Sequence, residues 1–330
     1  MINILVTGAG SLLGQGIIKT LRASKYNIKI SSTDYFKKSI GFFWSDYSYI
    51  MPDILKDEKN KKIWLKKIIK ISNKNKIDVI IPGLDFELSF LSINRQYLEK
   101  KTNSIVLVSS QKVIKVCSDK WLTYKFLKNN NFNCPDSCLP ANIDKFLKNN
   151  NFPLIVKPRN GSTSKNVFEV KNYKNLLIAI KKCPKPIIQK KIGNDNNEFT
   201  VGAIFYQNKL ESIIGLKRKL KNGNTSEAIH EKNYIKMYPY LSNIVKKLSP
   251  FGPINLQLKF IKNKSYIFEI NSRFSGTTPI RNIFGVNELE IVLSLILKKK
   301  SLSKNKLKYG VVLKYLHEIL ISNNEFKKIK

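Results

Sequence analysis

The chain has 330 residues, enough for two or three folded units, and its 42% hydrophobic and 11% aromatic content excludes wholesale disorder. Lys and Arg number 59 against 23 Asp and Glu, a formal net charge of +36 that favours anionic ligands. The basic residues are spread over helix surfaces and loops such as 56–62 and 298–308, without a basic arm or an aromatic-basic stripe, so nucleic acid is an alternative partner and not the expected one.

Four cysteines, Cys117, Cys134, Cys138 and Cys183, contain no Cys-x-x-Cys pair, and His230 and His317 are the two histidines, so neither a zinc site nor a disulfide framework is expected. No run approaches the roughly 18 apolar residues that span a bilayer, and residues 1–6 lack the basic start and cleavage site of a signal peptide. The expectation is a cytoplasmic protein with no membrane partner.

In chain order, residues 2–7 read as a buried strand, followed by Gly8-Ala9-Gly10-Ser11 and a helix over 12–24. A strand over 28–33 ends at Asp34, a helix over 61–73 leads into a strand over 78–81, and a Lys-rich helix precedes a strand over 105–108. Alternating strands and helices predict a parallel sheet with helices on both faces, ending near residue 110. Ser118 is the expected cap of a helix running to 129, followed by a short helix over 143–149 and strands over 154–157 and 167–170. Beyond residue 187, strands are expected over 187–189, 198–206, 210–216, 255–260 and 265–270, the last two joined as a hairpin through Lys262-Asn263-Lys264. The division is 1–110, 111–188 and 189–330.

The hairpin carries the strongest chemical signal. Gln257 lies on its first strand; Glu269 and Asn271 lie two apart on its second, so they share a face that Arg273 continues. Oxygen donors of this kind suit Mg²⁺ carrying phosphate, and an arginine offsets charge on a transferring phosphoryl group. A second signal is Lys157, at the end of a buried strand and ahead of the small-residue loop Asn160-Gly161-Ser162-Thr163-Ser164. Such a loop holds phosphates by charge and backbone N–H groups, although a hairpin turn with a surface lysine reads the same way. A third segment, Gln189-Lys190-Lys191-Ile192 followed by Glu198, offers backbone groups to an adenine and a carboxylate to ribose hydroxyls.

Taken in order, these segments resemble the ATP-grasp superfamily, and within it the branch of the carbamoyl-phosphate synthase large subunit and biotin carboxylase. The resemblance covers nearly the whole chain. It implies an α/β protein with a Rossmann-like pre-ATP-grasp domain followed by a two-lobed α+β ATP-grasp fold. It further implies that Lys120 and Lys157 contact ATP phosphates under the loop carrying Ser162 and Ser164. Gln189 stands where relatives often carry glutamate, Lys190, Lys191 and Ile192 meet adenine mainly through backbone groups, and Glu198 binds ribose. Gln257 and Glu269 would hold one Mg²⁺, and Glu269 and Asn271 a second, with Mn²⁺ able to replace either. Arg273 would steady the γ-phosphate and the acyl phosphate, and Arg218, from Lys217-Arg218-Lys219, would face the triphosphate or substrate. The phosphate loop departs from many relatives in having Gly161 alone.

The implied activity is ATP- and Mg-dependent ligation of a small carboxylate to an amine through an acyl phosphate, releasing ADP and phosphate, with an amino acid on at least one side. A homo-oligomer stays open. Gly8-x-Gly10-x-x-x-Gly14 with Asp34 imitates a dinucleotide fingerprint, so an NAD(P)-dependent oxidoreductase is the alternative enzyme; Leu13 occupies the third glycine's place. Glu87, after the turn Pro82-Gly83, is a candidate for an amine substrate or for capping the next helix.

Overall fold

A computed structural model describes residues 1–161, 166–299, 306–315, 317–327 and 329. Ser162 and Ser164 lie outside the described residues. The first layer is a five-stranded parallel sheet built from β1 (Ile2–Val6), α1 (Leu12–Arg22), β2 (Ile28–Asp34), β3 (Tyr47–Ile50), α2 (Glu58–Lys74), β4 (Val79–Ile81), α3 (Asp85–Thr102) and β5 (Ile105–Val106). Its order is β3-β2-β1-β4-β5. The apolar run of β1 is central because it is covered on both faces, with Ile4, Leu5 and Val6 fully buried. Ser11 caps α1 by accepting from the Gly14 N–H at 2.9 Å. Any side chain at Gly14 would overlap the Gly8 carbonyl, so close packing of helix on turn requires glycine there.

Next come α4 (Gln111–Ser118) and α5 (Lys120–Asn129). The expected cap moves by one residue. Ser118 ends α4, and Asp119 caps α5, accepting from Trp121 N–H at 2.8 Å and Leu122 N–H at 3.4 Å. A carboxylate next to a helix N-terminus outcompetes a neighbouring hydroxyl. These two helices pack into the core of the large sheet described below, Val113, Cys117 and Leu127 sitting with Leu256, Leu258 and Ile270.

A four-stranded sheet follows, formed by β6 (Ser137–Cys138), α6 (Ile143–Leu147), β7 (Leu154–Pro158), β8 (Phe168–Val170), α7 (Tyr173–Lys182) and β9 (Pro186–Lys190), in the order β6-β9-β7-β8. The remainder builds a six-stranded antiparallel sheet from β10 (Glu198–Tyr206), β11 (Lys209–Lys221), β12 (Asn224–His230), α8 (Tyr238–Leu248), β13 (Gly252–Ile261), β14 (Lys264–Asn271), α9 (Thr278–Ile283), α10 (Glu288–Ile296) and β15 (Gly310–Leu313), with α11 (Asn323–Lys327) last. Its order is β14-β13-β10-β11-β12-β15. The β13–β14 turn is two residues, Lys262 and Asn263, both at positive φ (47° and 61°), which matches the right-handed twist of the strands it joins.

The expected strand over 210–216 extends to Lys221 and pairs with β12, through a turn at Asn222 and Gly223 with φ of 51° and 75°. Among the described residues, no helix is long and apolar enough to cross a membrane. All four cysteines are buried and unpaired.

Candidate active site

The three sheets surround one cleft of about 790 Å³. Its walls come from β7, β9, β11, β13 and β14; the loops after β1 and β4 contribute Ser11 and Gly83, and the first turns of α1 and α3 contribute Leu12, Asp85 and Phe86. The first sheet thus meets the cleft at the carboxyl ends of its strands, the edge where open α/β sheets offer ligands their loops.

In the β13–β14 hairpin Gln257 sits directly opposite Glu269, and Asn255 opposite Asn271. Glu269 Oε1 accepts from Gln257 Nε2 at 3.2 Å and from Asn271 Nδ2 at 3.0 Å, while Lys120 Nζ lies 3.8 Å from Glu269 Oε2. Gln257 and Glu269 line the cleft; Asn271 reaches it through Glu269. One carboxylate and two amide oxygens make an all-oxygen donor set of low charge. That fits Mg²⁺, which takes one or two protein carboxylates and completes its shell with phosphate and water. No cluster of three or more His, Cys, Asp or Glu side chains occurs among the described residues.

Two lysines face this hairpin from the other side. Lys157, on β7, is 7% exposed, its Nζ 5.1 Å from the centroid of the Phe268 ring. Burial, and after it the nearby charge of Lys120, pulls its amine down to about 8. A buried ammonium without a close carboxylate favours an incoming anion. Lys120, from the first turn of α5, donates to the Gly161 carbonyl at 2.8 Å, at the edge of the residues that carry the expected phosphate loop. Asp119 holds this corner by a fork to Arg159, with Oδ1 at 3.2 Å and Oδ2 at 2.5 Å. Burial raises the Asp119 carboxyl, but Arg159 and the helix N–H groups outweigh it and hold it low.

On the next wall, Gln189, Lys190, Lys191, Ile192 and Glu198 all line the cleft. The Gln189 side chain donates to Ser137 Oγ at 2.9 Å, and Lys191 Nζ lies 2.7 Å from Glu169 Oε2. The N–H groups of Lys190 and Lys191 donate to the Asp136 and Pro153 carbonyls at 2.8 and 3.4 Å, so a flat heterocycle is left the other backbone groups of the segment 190–192. Glu198 is gripped by two cations: Arg218 donates to Oε1 through Nε at 3.1 Å and Nη2 at 2.8 Å, and Lys259 Nζ to Oε2 at 2.8 Å. Burial raises this carboxyl, and the two cations more than reverse the rise. Arg218 Nη2 also donates to Gln257 Oε1 at 2.8 Å, so ribose wall and metal wall are one network.

Comparison with known proteins supplies the family. Residues 117–277 match the family model described as ATP-grasp domain, and residues 4–106 match the one described as PylC-like, N-terminal domain. The chain belongs to the ATP-grasp superfamily. A carbamoyl-phosphate synthase of Methanobrevibacter smithii is 23% identical over 261 residues, 73% of this chain and 70% of that protein. Among solved structures, an N5-carboxyaminoimidazole ribonucleotide synthetase in complex with ADP superposes with a TM-score of 0.74 at 16% identity, over 94% of this chain and 81% of that one. An L-amino acid ligase from Bacillus licheniformis gives 0.68 at 18% identity, over 90% and 74%. The family and these relatives support an ATP-dependent ligase.

Arg273, expected from the sequence, lines the ATP-grasp cleft, is 8% exposed and forks onto Asp85 at the start of α3. That pairing was not foreseen from the sequence. Lys259 was passed over, although its alternation with Gln257 places both on one face of β13. Arg281 is buried behind the cleft, paired with Glu288 at 3.1 Å. Glu87 is not a wall residue. It is 1% exposed and accepts from Thr7 Oγ1 and, at 2.8 Å, from Tyr35 OH. Burial pushes its carboxyl up to about 7.

The glycine turn of the first sheet is closed to a dinucleotide in this conformation. Asp34, whose carboxylate would meet a ribose, is 4% exposed and accepts from the Gly10 N–H at 2.7 Å. Ser39 fills the space that a Cβ on Gly10 would enter.

Proposed function

We propose that this chain is a Mg- and ATP-dependent ligase that activates a small-molecule carboxylate as an acyl phosphate for attack by an amine. The observation that carries the reading is the single network of Lys120, Glu269, Gln257, Arg218 and Glu198 facing the buried Lys157. It sets an oxygen-donor cluster, two lysines and a nucleotide wall around one cleft.

Lys120 and Lys157 bind the triphosphate, the backbone of Lys190 to Ile192 takes the adenine, and Glu198 takes the ribose once its cations share it. Gln257, Glu269 and Asn271 would hold Mg²⁺, as two ions or with Mn²⁺ in their place, and a metal held there would supply charge neutralisation for phosphoryl transfer. Arg273 and Arg218 steady the transferred group. The substrate carboxylate oxygen attacks the γ-phosphorus and the bond to the β-phosphate oxygen breaks, releasing ADP. The amine nitrogen then attacks the acyl carbon, the carbon–oxygen bond to phosphate breaks, and an amide, phosphate and a proton result. An amino acid is the proposed partner on at least one side, the cytoplasm the proposed setting, and the oligomeric state is left open.

The test is calorimetric titration of Mg-ATP into wild type and Glu269→Ala, with NAD(P)H as the comparison. Saturable Mg-ATP binding at micromolar to millimolar concentration, lost in the variant, with no NAD(P)H binding, is expected. Folded wild type that takes up no Mg-ATP would sink the reading.

A further inference from the structure

We propose that a second cavity, between β11, the end of β12 and the segment leading into β15, is a ligand site for a small neutral aromatic molecule carrying one N–H or O–H donor, with Nε2 of His230 as the acceptor that recognises it. The assignment goes beyond the ligase reading and does not depend on it.

The cavity has a volume of about 200 Å³ and shares no lining residue with the ATP-grasp cleft. Its floor is Ile214 and His230, 1% and 2% exposed. Its rim is Ile235, Leu307 and Tyr309, each between 41% and 50% exposed. A closed floor under a half-exposed rim leaves a way in from solvent. Small-molecule sites are built in this manner, from apolar walls and very few placed polar groups. A cavity of about 150 Å³ already holds benzene, so this one has room for one ring or two fused rings. No lysine, arginine or carboxylate lines it, and a charged ligand would be desolvated there without a partner.

His230 defines the polar end. Its Nδ1 lies 2.9 Å from the Gly215 carbonyl, an oxygen that can only accept, so Nδ1 carries the proton. Burial holds the imidazole below its usual range and keeps the ring neutral. Nε2 is therefore a bare lone pair. It is buried and has no hydrogen-bond partner among the described residues. A buried acceptor left unpaired is costly, and a donor brought in by a ligand would satisfy it. A water molecule could bond to Nε2, but it would stand against Ile213 and Ile214 with too few polar neighbours. A flat ring with a single donor meets both demands. The neighbours are already aromatic: the Tyr309 ring stacks on His230 with centroids 5.2 Å apart and planes 17° apart, and the Phe284 centroid is 5.4 Å away. Tyr309 is the movable member, being half in solvent, and its rotation would uncover the histidine edge.

The probes are indole and phenol, each paired with its methylated counterpart, 1-methylindole and anisole, which keep the ring and lose the donor. The readout is imidazole nitrogen NMR alongside calorimetry. His230 and His317 are the two histidines, so His317→Gln leaves the signals of His230 alone. Indole or phenol is expected to bind saturably and to move the Nε2 resonance upfield, as a lone pair that accepts a hydrogen bond does. The methylated counterpart is expected to bind about tenfold more weakly and to leave Nε2 in place. His230→Phe, which keeps a ring and removes the acceptor, is expected to erase the difference between each probe and its counterpart; if that variant does not fold, the comparison within wild type decides. Folded wild type that binds neither indole nor phenol overturns the site. Binding that leaves the Nε2 resonance unmoved, or that is equally tight for the methylated counterparts, overturns the role of His230 and the proposal with it.

Discussion

The guanidinium of Arg273 donates to both carboxylate oxygens of Asp85, through Nε at 2.7 Å and Nη2 at 3.2 Å, across 188 residues of sequence. This fork ties the exit of β14 to the first turn of α3 and fixes which way the arginine points at the cleft. Asp85→Ala strips a buried guanidinium of its main partner, although Asp85 itself is partly solvated. The expected loss is about 1–3 kcal/mol of stability by urea denaturation. The ligation rate is expected to fall more than Mg-ATP affinity does.

Lys157 gives a pH signature. Its amine, ordinarily at 10.5, is held down to about 8 first by burial and then by Lys120. Between those two values the unfolded chain binds more protons at this position than the folded one, so the Lys157 contribution makes stability rise with pH over that window. The difference in stability between wild type and Lys157→Met, followed by thermal denaturation from pH 7 to 10.5, is expected to shift in favour of wild type as pH increases. The same variant should lose Mg-ATP affinity by tenfold or more, because a buried ammonium is replaced where phosphate is to sit.

Glu87 works in the opposite sense. Its carboxyl is raised by burial from 4.5 to about 7, so the folded state binds the extra proton. The stability it contributes is full below pH 4.5 and is lost as pH rises toward 7 and beyond. Glu87→Gln keeps an acceptor for Thr7 or Tyr35 and carries no charge. Its denaturation midpoint relative to wild type is expected to increase steadily from pH 4.5 to 8; a constant offset would refute the burial argument.

Gly202, on β10, lies against the buried pair of Arg281 and Glu288, and an added Cβ would overlap both side chains. Gly202→Ala is therefore expected to cost about 2–4 kcal/mol in chemical denaturation, since neither partner has room to retreat. A neutral result would mean that the pair is far more mobile than its contacts indicate.

What sequence reasoning could reach was local. Glu269 and Asn271 share a face because strand side chains alternate, but the register set by the turn at Lys262 and Asn263 would put Gln257 opposite Phe268, and it is the shift between Gln257 and Leu258 that brings Gln257 opposite Glu269. Asn222-Gly223 carried an equally plain hairpin signal that went unread, and with it β12 was missed. Asp85 stood in view beside Glu87, but the choice between them depends on where α3 begins: its first residue faces the cleft and its third faces the core. The Arg281 network was only half legible: Ser275 and Glu288 lie six and seven residues from it, but Thr200 and Asn255 come from β10 and β13 and join only when the sheet is assembled.

The four-stranded sheet keeps its apolar residues to itself. Cys138, Phe146, Leu154, Val156, Val170, Leu176, Ala179, Cys183 and Ile188 pack with one another. By contrast the first sheet shares its core with the large one, Ile4, Ile17 and Leu107 sitting with Ile204, Phe274 and Val292. A swing of the four-stranded unit as a body would leave that inner packing untouched, whereas prising apart the other two would tear a common interior. The apolar packing therefore divides the molecule into one unit made of two sheets and a second made of the third, and Lys157 and the residues of the proposed adenine wall belong to the second.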